Sequence, residues 1–199
     1  MSLLFETIAC KNGKLLNLEW HNARLNNSRR KLFKTNTPLF LEDIYLPKFV
    51  DNGYWKCKVL YSDIINGISF EPYTPRKISA LTLVESSLSY KYKSQDRDEL
   101  DFLFNKREEA DDVIIIKDGY VTDSSIANIL LYNGQNWVTP DTPLLDGTMR
   151  AQLIHKGLIR VGTVKKADLA DYQQIMLVNA MNPFDEIRGI DIVKALLNY

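Results

Sequence analysis

The stretch DGYVTDSSIANILLYNGQNWVTPDTPLLDGTMR, residues 118–150, decides the fold of the second half of the chain. It places the carboxylate of Asp123 at the tip of a turn. It then crosses a hairpin closed by Asn133-Gly134, a dipeptide that favours the left-handed backbone of a two-residue turn. It ends in Gly147-Thr148-Met149-Arg150, just ahead of a helical pattern. Because helix N-termini present N–H groups to anions, the stretch combines one carboxylate with one anion-binding turn.

The composition excludes several classes of protein. The 199 residues are 45% hydrophobic, which is enough for one large domain or two small ones. Lys+Arg and Asp+Glu both number 25, and no basic stripe or polybasic run indicates nucleic acid or a membrane surface. No secretory signal and no run of ~18 apolar residues occurs. Two cysteines and two histidines form no metal pattern, so we expect a reduced, metal-free, cytoplasmic protein.

Hydrophobic periodicity predicts an α+β fold in two halves. The first half opens with a hairpin that turns at Asn12-Gly13, followed by an amphipathic helix over residues 19–33. A short second helix over residues 40–52 and two alternating strands complete it. The side chains expected on the buried side of the long helix are Trp20, Leu25 and Phe33.

The second half begins near Glu85, where the serine-rich residues 86–93 read as a linker that becomes a strand. A helix over residues 96–109 follows, with a capping box that starts at Asp96. A buried strand, the hairpin, a helix over residues 148–159 and a last strand complete this half. We therefore predict a smaller α/β domain at residues 1–85 and a larger α/β domain at residues 86–199.

Lys93 is the first candidate for chemistry. It stands at the end of the predicted linker strand and just before a helix, where functional side chains are often displayed. Lys91 would share its face, since side chains two apart in a strand point the same way. A lysine forms a Schiff base only when its amine is neutral, which desolvation or a neighbouring positive charge favours. A solvated surface lysine is the alternative.

Asp123 and two anion-binding elements complete the candidate set. A carboxylate beside a pyridine nitrogen keeps that ring protonated, although an aspartate in a turn often bonds only to its own backbone. Gly147-Thr148-Met149 offers backbone N–H groups and a hydroxyl at a helix start, or forms a simple glycine turn. Arg24 offers a guanidinium fork to phosphate, or is solvated. Lysine, ring partner and phosphate groups together indicate pyridoxal 5'-phosphate.

In combination, these residues resemble the fold-type IV family of pyridoxal phosphate-dependent enzymes (class IV aminotransferases), and most closely the aminodeoxychorismate lyases. The likeness covers nearly the whole chain as a set of short motifs in the right order. They are the FET segment Phe5-Glu6-Thr7, the HxxRL pattern His21–Leu25, the KxxDR pattern Lys93–Arg97, the GxVTD segment ending at Asp123, Ala127-Asn128-Ile129, the LxGxxR loop Leu145–Arg150 and the NAM segment Asn179–Met181.

The resemblance implies roles for particular residues. Lys93 would bind pyridoxal 5'-phosphate as a Schiff base and then move protons, with Lys91 as the alternative lysine. Asp123 would pair with the ring nitrogen. The implied phosphate partners are Arg24, Gly147, Thr148, Met149 and Asn179. The implied fold is the two-domain α+β architecture of D-amino acid aminotransferase-like enzymes.

The chain departs from the family pattern in three places. Asp123 stands where the family usually has glutamate, which is one methylene longer. The sequence starts almost at the FET segment, as expected for a shortened member without the usual first strand. Tyr61-Ser62-Asp63 stands where relatives often carry an arginine-glycine element and a longer loop that grip substrate carboxylates.

The activity implied first is conversion of 4-amino-4-deoxychorismate to 4-aminobenzoate and pyruvate, since KxxDR and NAM are nearer to the lyases. A class IV aminotransferase of branched-chain or D-amino acid type shares the same site residues. A non-catalytic binding protein on the same fold is a further alternative. The resemblance implies a homodimer acting on a small amino-group substrate, without nucleic acid or membrane.

Overall fold

The computed structural model describes residues 3–197, which form two compact units. The first unit holds the described residues up to Pro75 together with Tyr92–Asp96, and the second holds Arg76–Lys91 and the residues from Arg97 onwards. The domain boundary at residue 85 stays a prediction. Residues 92–96 belong with the first unit because backbone hydrogen bonds join them to its first strand: Phe5 N donates to Lys93 O over 2.9 Å.

An antiparallel sheet with the strand order β2-β1-β3-β4 forms the framework of the first unit. Asn12 and Gly13 both have positive φ, at 49° and 72°, and close the hairpin between its first two strands as predicted. The strands are β1 Leu4–Lys11, β2 Lys14–Leu15, β3 Tyr54–Tyr61 and β4 Ile65–Pro72.

Helix α1, Leu18–Ser28, packs on this sheet and is followed by one π-helical turn, Arg29–Phe33. The expected helix over residues 19–33 is therefore α-helical only in its first part. Leu25 is buried as predicted. The predicted helix over residues 40–52 is wrong: two separate 3-10 turns, Leu41–Asp43 and Lys48–Val50, occupy it. Pro47 stands between them, and proline supplies no N–H and restricts the residue before it.

Cys10 and Cys57 lie in neighbouring strands of the first unit, and both are fully buried free thiols. Ile8 pairs with Cys57 across β1 and β3, so Cys10 lies diagonally opposite Cys57 on the same sheet face. Burial raises the pKa of Cys57 to about 12, and burial raises the pKa of Cys10 as well. Both are therefore core thiols.

The second unit is built on a larger, mixed sheet. Among residues 3–197 it has eight strands, ordered β10-β9-β8-β7-β6-β5 with β11 paired to β8 and β12 paired to β11. Its strands are β5 Leu81–Glu85, β6 Asp112–Lys117, β7 Tyr120–Ser124, β8 Asn128–Tyr132, β9 Trp137–Pro140, β10 Arg160–Gly162, β11 Gln174–Val178 and β12 Ile190–Asp191. The predicted hairpin between β8 and β9 is confirmed, with Gly134 at φ 92°.

Three α-helices and two 3-10 helices accompany these strands in the described part of the second unit. The α-helices are α2 Asp98–Asn105, α3 Thr148–His155 and α4 Ile192–Ala195, and the 3-10 helices are Lys166–Asp171 and Glu186–Arg188. Both predicted helices start later or end earlier than expected. The residue before α2 is Arg97, so the predicted capping box starting at Asp96 is not formed. Helix α3 begins at Thr148 as predicted but ends at His155, since Gly157 takes positive φ two residues later.

The serine-rich residues 86–93 form no strand, contrary to the prediction. Their alternation of apolar and polar side chains has no neighbouring strand to pair with over its length. A single bridge, Leu4 to Ser94, follows the segment. No helix within residues 3–197 has the length and apolar character needed to cross a membrane.

Candidate active site

Lys93 is held beside strand β1 by the backbone of the first unit. Its carbonyl accepts from Phe5 N, and the next residue, Ser94, bridges to Leu4. Its Nζ lies 4.6 Å from the centroid of the Phe5 ring, within cation–π range. Lys93 is half-buried, whereas Lys91 is exposed and belongs to the second unit. The strand face that the two lysines were predicted to share is therefore not formed.

A second ammonium group approaches the same aromatic ring. Lys58 Nζ lies 5.0 Å from the Phe5 ring centroid. Lys58 pairs with Thr7 across β1 and β3, and Phe5 is two residues from Thr7, so both side chains lie on one sheet face. The Phe5 ring thus has two lysines above it, and the sequence analysis singled out only Lys93.

Glu6 is a fully buried carboxylate whose partners both come from α1. Its Oε1 accepts from Arg24 Nε over 2.9 Å, and its Oε2 contacts His21 Nδ1 over 2.7 Å and the terminal guanidinium nitrogen Nη2 of Arg24. His21 and Arg24 are three residues apart and share one helix face. The guanidinium fork of Arg24, predicted as a phosphate partner, therefore binds the carboxylate of Glu6 with two of its nitrogens.

The protonation states of Glu6 and His21 follow from their burial and from their contacts with each other and with Arg24. Burial alone would raise the pKa of Glu6, but the positive charge of Arg24 and the hydrogen bond from His21 outweigh it and lower the pKa to about 2. Burial lowers the pKa of His21, and Glu6 offsets this only in part. Since His21 is then neutral at pH 7 and Glu6 ionised, Nδ1 carries the proton and donates it to Glu6.

Asp123 lies in strand β7 of the second unit rather than at the tip of a turn. The turn is formed earlier, by Asp118 and Gly119, whose φ angles of 53° and 80° are both positive. Asp123 is 5% exposed. Its Oδ1 accepts from Asn128 Nδ2 over 2.8 Å, and its Oδ2 accepts from Leu145 N over 2.9 Å. A side-chain amide and a backbone amide therefore hold the carboxylate in one orientation.

Both of those hydrogen-bond donors are neutral, so neither supplies a positive charge that would stabilise the ionised form of Asp123. Burial raises the pKa of Asp123 to about 7, because the N–H of Leu145, the amide of Asn128 and the more remote charge of Arg150 offset the burial only in part. Within residues 3–197 no lysine, arginine or histidine forms an ion pair with it. The site therefore holds a buried acidic group without a cation beside it.

Gly147 precedes α3 because the site has no room for a larger residue there. A Cβ at this position would lie 1.9 Å from Asn128 Oδ1, far inside contact distance. Asn128 Nδ2 also donates to Leu145 O over 2.9 Å. Asn128 thus connects Asp123 to the turn that leads into α3, and Gly147 is required for close approach rather than for an unusual φ.

Thr148 and Met149 start α3, and the side chains of both are buried. Met149 packs with Leu130 and Leu153 in the core of the second unit. Its side chain is therefore committed to packing, and a phosphate could take only its backbone N–H. The predicted helix start is present, with Gly147 as the residue before it, while its binding of phosphate stays a prediction.

Asn179 is largely committed to its own turn. Its Oδ1 accepts from Met181 N and Asn182 N, each over 2.9 Å. Its Nδ2 donates to Ile126 O over 3.2 Å, which ties the end of β11 to the connection between β7 and β8. The structure therefore gives Asn179 a loop-holding function, while contact with phosphate stays a prediction.

Within each unit the structure joins only some of the predicted residues. Asp123 and Gly147 are joined through Asn128 in the second unit, and Asn179 is attached through Ile126. Sequence reasoning missed the roles of Glu6 and Asn128. Both stand inside the quoted FET and Ala127-Asn128-Ile129 motifs, so the motifs were the available signal.

Comparisons with known proteins agree on the family. A family model described as Amino-transferase class IV matches residues 102–190. An uncharacterized protein of Haemophilus influenzae is 35% identical over 184 residues, which is 90% of this chain and 97% of the relative. A Schizosaccharomyces pombe protein provisionally named aminodeoxychorismate lyase is 34% identical over 77 residues, covering 36% of this chain and 33% of that protein.

A solved structure extends this agreement to the fold. The crystal structure of a protein from Haemophilus somnus 129pt, provisionally named 4-amino-4-deoxychorismate lyase, superposes with a TM-score of 0.85. It is 32% identical and covers 92% of this chain and 98% of its own. The fold is thus the α+β fold of the fold-type IV enzymes, as predicted. The chain belongs to the class IV aminotransferase family.

Proposed function

We propose that this protein is a pyridoxal 5'-phosphate-dependent lyase that converts 4-amino-4-deoxychorismate to 4-aminobenzoate and pyruvate. The observation that carries the proposal is Asp123, a buried carboxylate with two neutral donors and no counter-ion among the described residues. A group with a cationic ring N–H fits such an acceptor. The family and the likeness to the Haemophilus somnus protein support the particular reaction.

The chemistry of the site residues fits this cofactor. When bound, pyridoxal phosphate supplies a ring that withdraws electrons from the substrate carbon, and it does so best with a protonated ring nitrogen. Asp123 would keep that nitrogen protonated, since ionised Asp123 is stabilised by a cation beside it. The start of α3 would present its first N–H groups to phosphate. Arg24 would add its charge, with its orientation fixed by Glu6.

Lys93 would carry the covalent attachment and the proton transfers. Its half-buried position above the Phe5 ring favours it over the exposed Lys91. In the lyase reaction its amine would remove the proton from the substrate carbon that bears the amino group. Asn128 and Leu145 would meanwhile keep the carboxylate of Asp123 from rotating.

The second candidate is a class IV aminotransferase, which the description of the matching family favours. It would use the same residues, with Lys93 returning the proton to the cofactor carbon instead. An assay separates the two activities. We expect purified protein with pyridoxal phosphate to release 4-aminobenzoate from aminodeoxychorismate. Absence of 4-aminobenzoate, together with conversion of amino acids with 2-oxoglutarate, would reject the lyase and favour the aminotransferase.

A cofactor titration tests the third alternative, a binding protein without catalysis. We expect a visible absorption band on adding pyridoxal phosphate, and borohydride reduction should fix the label on Lys93. Arg24→Ala should weaken cofactor retention, while Arg30→Ala should not, since Arg30 is an exposed residue of the π-helical turn. Unchanged affinity in Arg24→Ala would remove Arg24 from the site. No band at all would favour the binding protein.

We also propose, from the family alone, that the protein is a cytoplasmic homodimer. Light scattering coupled to size-exclusion chromatography would measure the mass of the particle, and a monomer at micromolar concentration would contradict the dimer.

A further inference from the structure

The connection Ser125–Ala127, which we name the Ser125 loop, joins the two side chains that meet across β7 and β8. Asp123 precedes it and Asn128 follows it, and the two side chains are 2.8 Å apart. The loop is closed on itself: Ser124 N donates to Ala127 O over 2.8 Å, and Ser124 Oγ accepts from Ala127 N over 3.0 Å. The position of this loop therefore sets the geometry of the Asp123–Asn128 pair.

Three side chains from other parts of the second unit hold the Ser125 loop. Arg97, just before α2, donates from its terminal guanidinium nitrogen Nη2 to Ser125 O over 2.8 Å. Asp112, the first residue of β6, accepts from Ser125 N at Oδ1 over 3.3 Å. Asn179 donates to Ile126 O over 3.2 Å. The backbone C=O of Ser125 is thus bound by Arg97, and its backbone N–H is bound by Asp112.

Asp112 is costly to bury, and the contact with Ser125 accounts for its position. The residue is 0% exposed. Its Oδ1 also accepts from Val113 N over 2.8 Å, while its Oδ2 has no hydrogen-bond partner among residues 3–197. A buried carboxylate oxygen without a partner is unfavourable compared with an apolar side chain of similar size. Among residues 3–197, only Oδ1 of the Asp112 carboxylate accepts hydrogen bonds, and one of them comes from the Ser125 loop.

Two further contacts orient the side chain of Arg97 in addition to its hydrogen bond with the loop. Its guanidinium lies 5.9 Å from the Tyr90 ring centroid, and its Nε lies 3.7 Å from Asp101 one helical turn on. A guanidinium held by a ring and a carboxylate loses less freedom when it makes a further hydrogen bond. The final arginine of the KxxDR pattern therefore has a structural target, the carbonyl of Ser125.

We propose that Arg97 and Asp112 are positioning residues that hold the backbone C=O and the backbone N–H of Ser125, respectively, and thereby fix the Asp123–Asn128 pair. The inference rests on the proposed function only in giving Asp123 the ring nitrogen as its partner. The holding of the loop itself is a property of the protein without cofactor. It can therefore be measured before any activity is established.

Amide hydrogen exchange in the cofactor-free protein, followed by NMR, tests the proposal. We expect Arg97→Ala and Asp112→Ala to speed exchange at Ser125 N and at the side-chain amide of Asn128 by about tenfold, the loss of one charge-assisted hydrogen bond. Asp112→Asn keeps an Oδ1 acceptor but loses the charge, so both rates should lie between those of wild type and Asp112→Ala. Arg107→Ala is the matched control, because Arg107 also donates to a backbone carbonyl, that of Phe104.

Two results would overturn the proposal. One is unchanged exchange in Arg97→Ala. The other is unchanged exchange at Ser125 N in a folded Asp112→Ala variant. If Asp112→Ala fails to fold, Arg97→Ala and the rescuing Arg97→Lys carry the test, since Arg97 is partly exposed. A protein that binds no pyridoxal phosphate but shows these exchange rates would reject the proposed function alone.

Discussion

Glu6 of the first unit and Asp123 of the second unit are both buried carboxylates, and their ionised forms are treated in opposite ways. In the first unit, burial acts against the ionised form of Glu6, yet Arg24 and His21 outweigh it and lower the pKa to about 2. In the second unit, burial prevails over the neutral donors Leu145 and Asn128 and raises the pKa of Asp123 to about 7. The difference lies in the partners, because both carboxylates are buried.

Glu6 is an internal structural charge, whereas Asp123 has the features of a carboxylate that binds a cationic ligand. Glu6 already has a cation within hydrogen-bonding distance, so its ionised form needs nothing from outside. Asp123 is oriented by two donors but has no cation beside it in the described residues. A cationic group would find in Asp123 an acceptor that becomes fully ionised on binding. A buried group with a strongly shifted pKa, such as Asp123, is a candidate for a functional site.

The largest expected effect is on the amine that the proposed chemistry needs. We expect Lys93→Ala to abolish turnover, a loss of at least about 10²–10⁴-fold, because both the attachment and the proton transfers depend on it. Lys91→Ala is the control and should keep wild-type rates. Steady-state assays and borohydride labelling measure the two variants. The reverse pattern would move the catalytic role to Lys91.

Asp123→Asn tests the unpaired carboxylate through pH. The raised folded-state pKa means that the stability contributed by Asp123 is complete below about 3.8 and is lost as pH rises through about 7. Asparagine keeps only one of the two acceptor oxygens, so cofactor-free Asp123→Asn should be less stable than wild type near pH 4. Only wild type loses stability as pH rises, so the difference should shift in favour of the variant by up to roughly 4 kcal/mol above pH 8. Urea unfolding across this range measures the difference.

Asp146→Asn is the control, since the side chain of Asp146 is 86% exposed. A stability difference between Asp123→Asn and wild type that is the same at pH 4 and at pH 8 would contradict the raised pKa, and with it the contrast between the two units.

Glu6→Gln should show the opposite dependence on pH. The lowered folded-state pKa means that the contribution of Glu6 is complete above about 4.5 and is lost as pH falls toward 2. We expect the variant to be less stable by roughly 3 kcal/mol at pH 7, with the gap closing in acid. Chemical denaturation at several pH values measures this. A gap that is constant with pH would show that packing, and not charge, holds Glu6.

Gly147→Ala has the smallest expected effect, because the overlap is confined to one side chain. The new Cβ would collide with Asn128 Oδ1, and relief of such crowding costs about 1–3 kcal/mol. Gly67→Ala is the matched control, since a Cβ at Gly67 meets nothing within 4 Å. Thermal unfolding compares them. Equal stabilities would show that Asn128 can move without cost.

The sequence predicted those parts of the fold that depend on local chemistry. Asn12-Gly13 and Asn133-Gly134 announce their hairpins because each turn needs positive φ at glycine. Residues 86–93 misled because alternation predicts a strand only if a partner strand lies beside it. The helix predicted over residues 40–52 failed at Pro47, which could have been used to divide it. Local patterns thus sufficed where the constraint was local.

The candidate site was predictable in its residue types but not in its contacts. The motifs identified Arg24 and Asp123, yet no pattern states that Glu6 occupies the guanidinium of Arg24 or that Asn128 orients Asp123. These contacts join residues far apart in the sequence and depend on strand register. The position of Lys93 beside Phe5 likewise follows from a backbone hydrogen bond to β1, which side-chain periodicity does not encode.

The two buried thiols allow the opening of the first unit to be measured by chemical labelling. Cys10 lies in β1 and Cys57 lies in β3 of that unit. The thiolate is the form of cysteine that reacts with alkylating reagents, and the raised pKa values of both thiols keep the thiolate scarce in the closed fold. Alkylation should therefore proceed only when the first sheet opens. Labelling rates would report the opening of the first unit alone, because the sequence has no cysteine in the second unit.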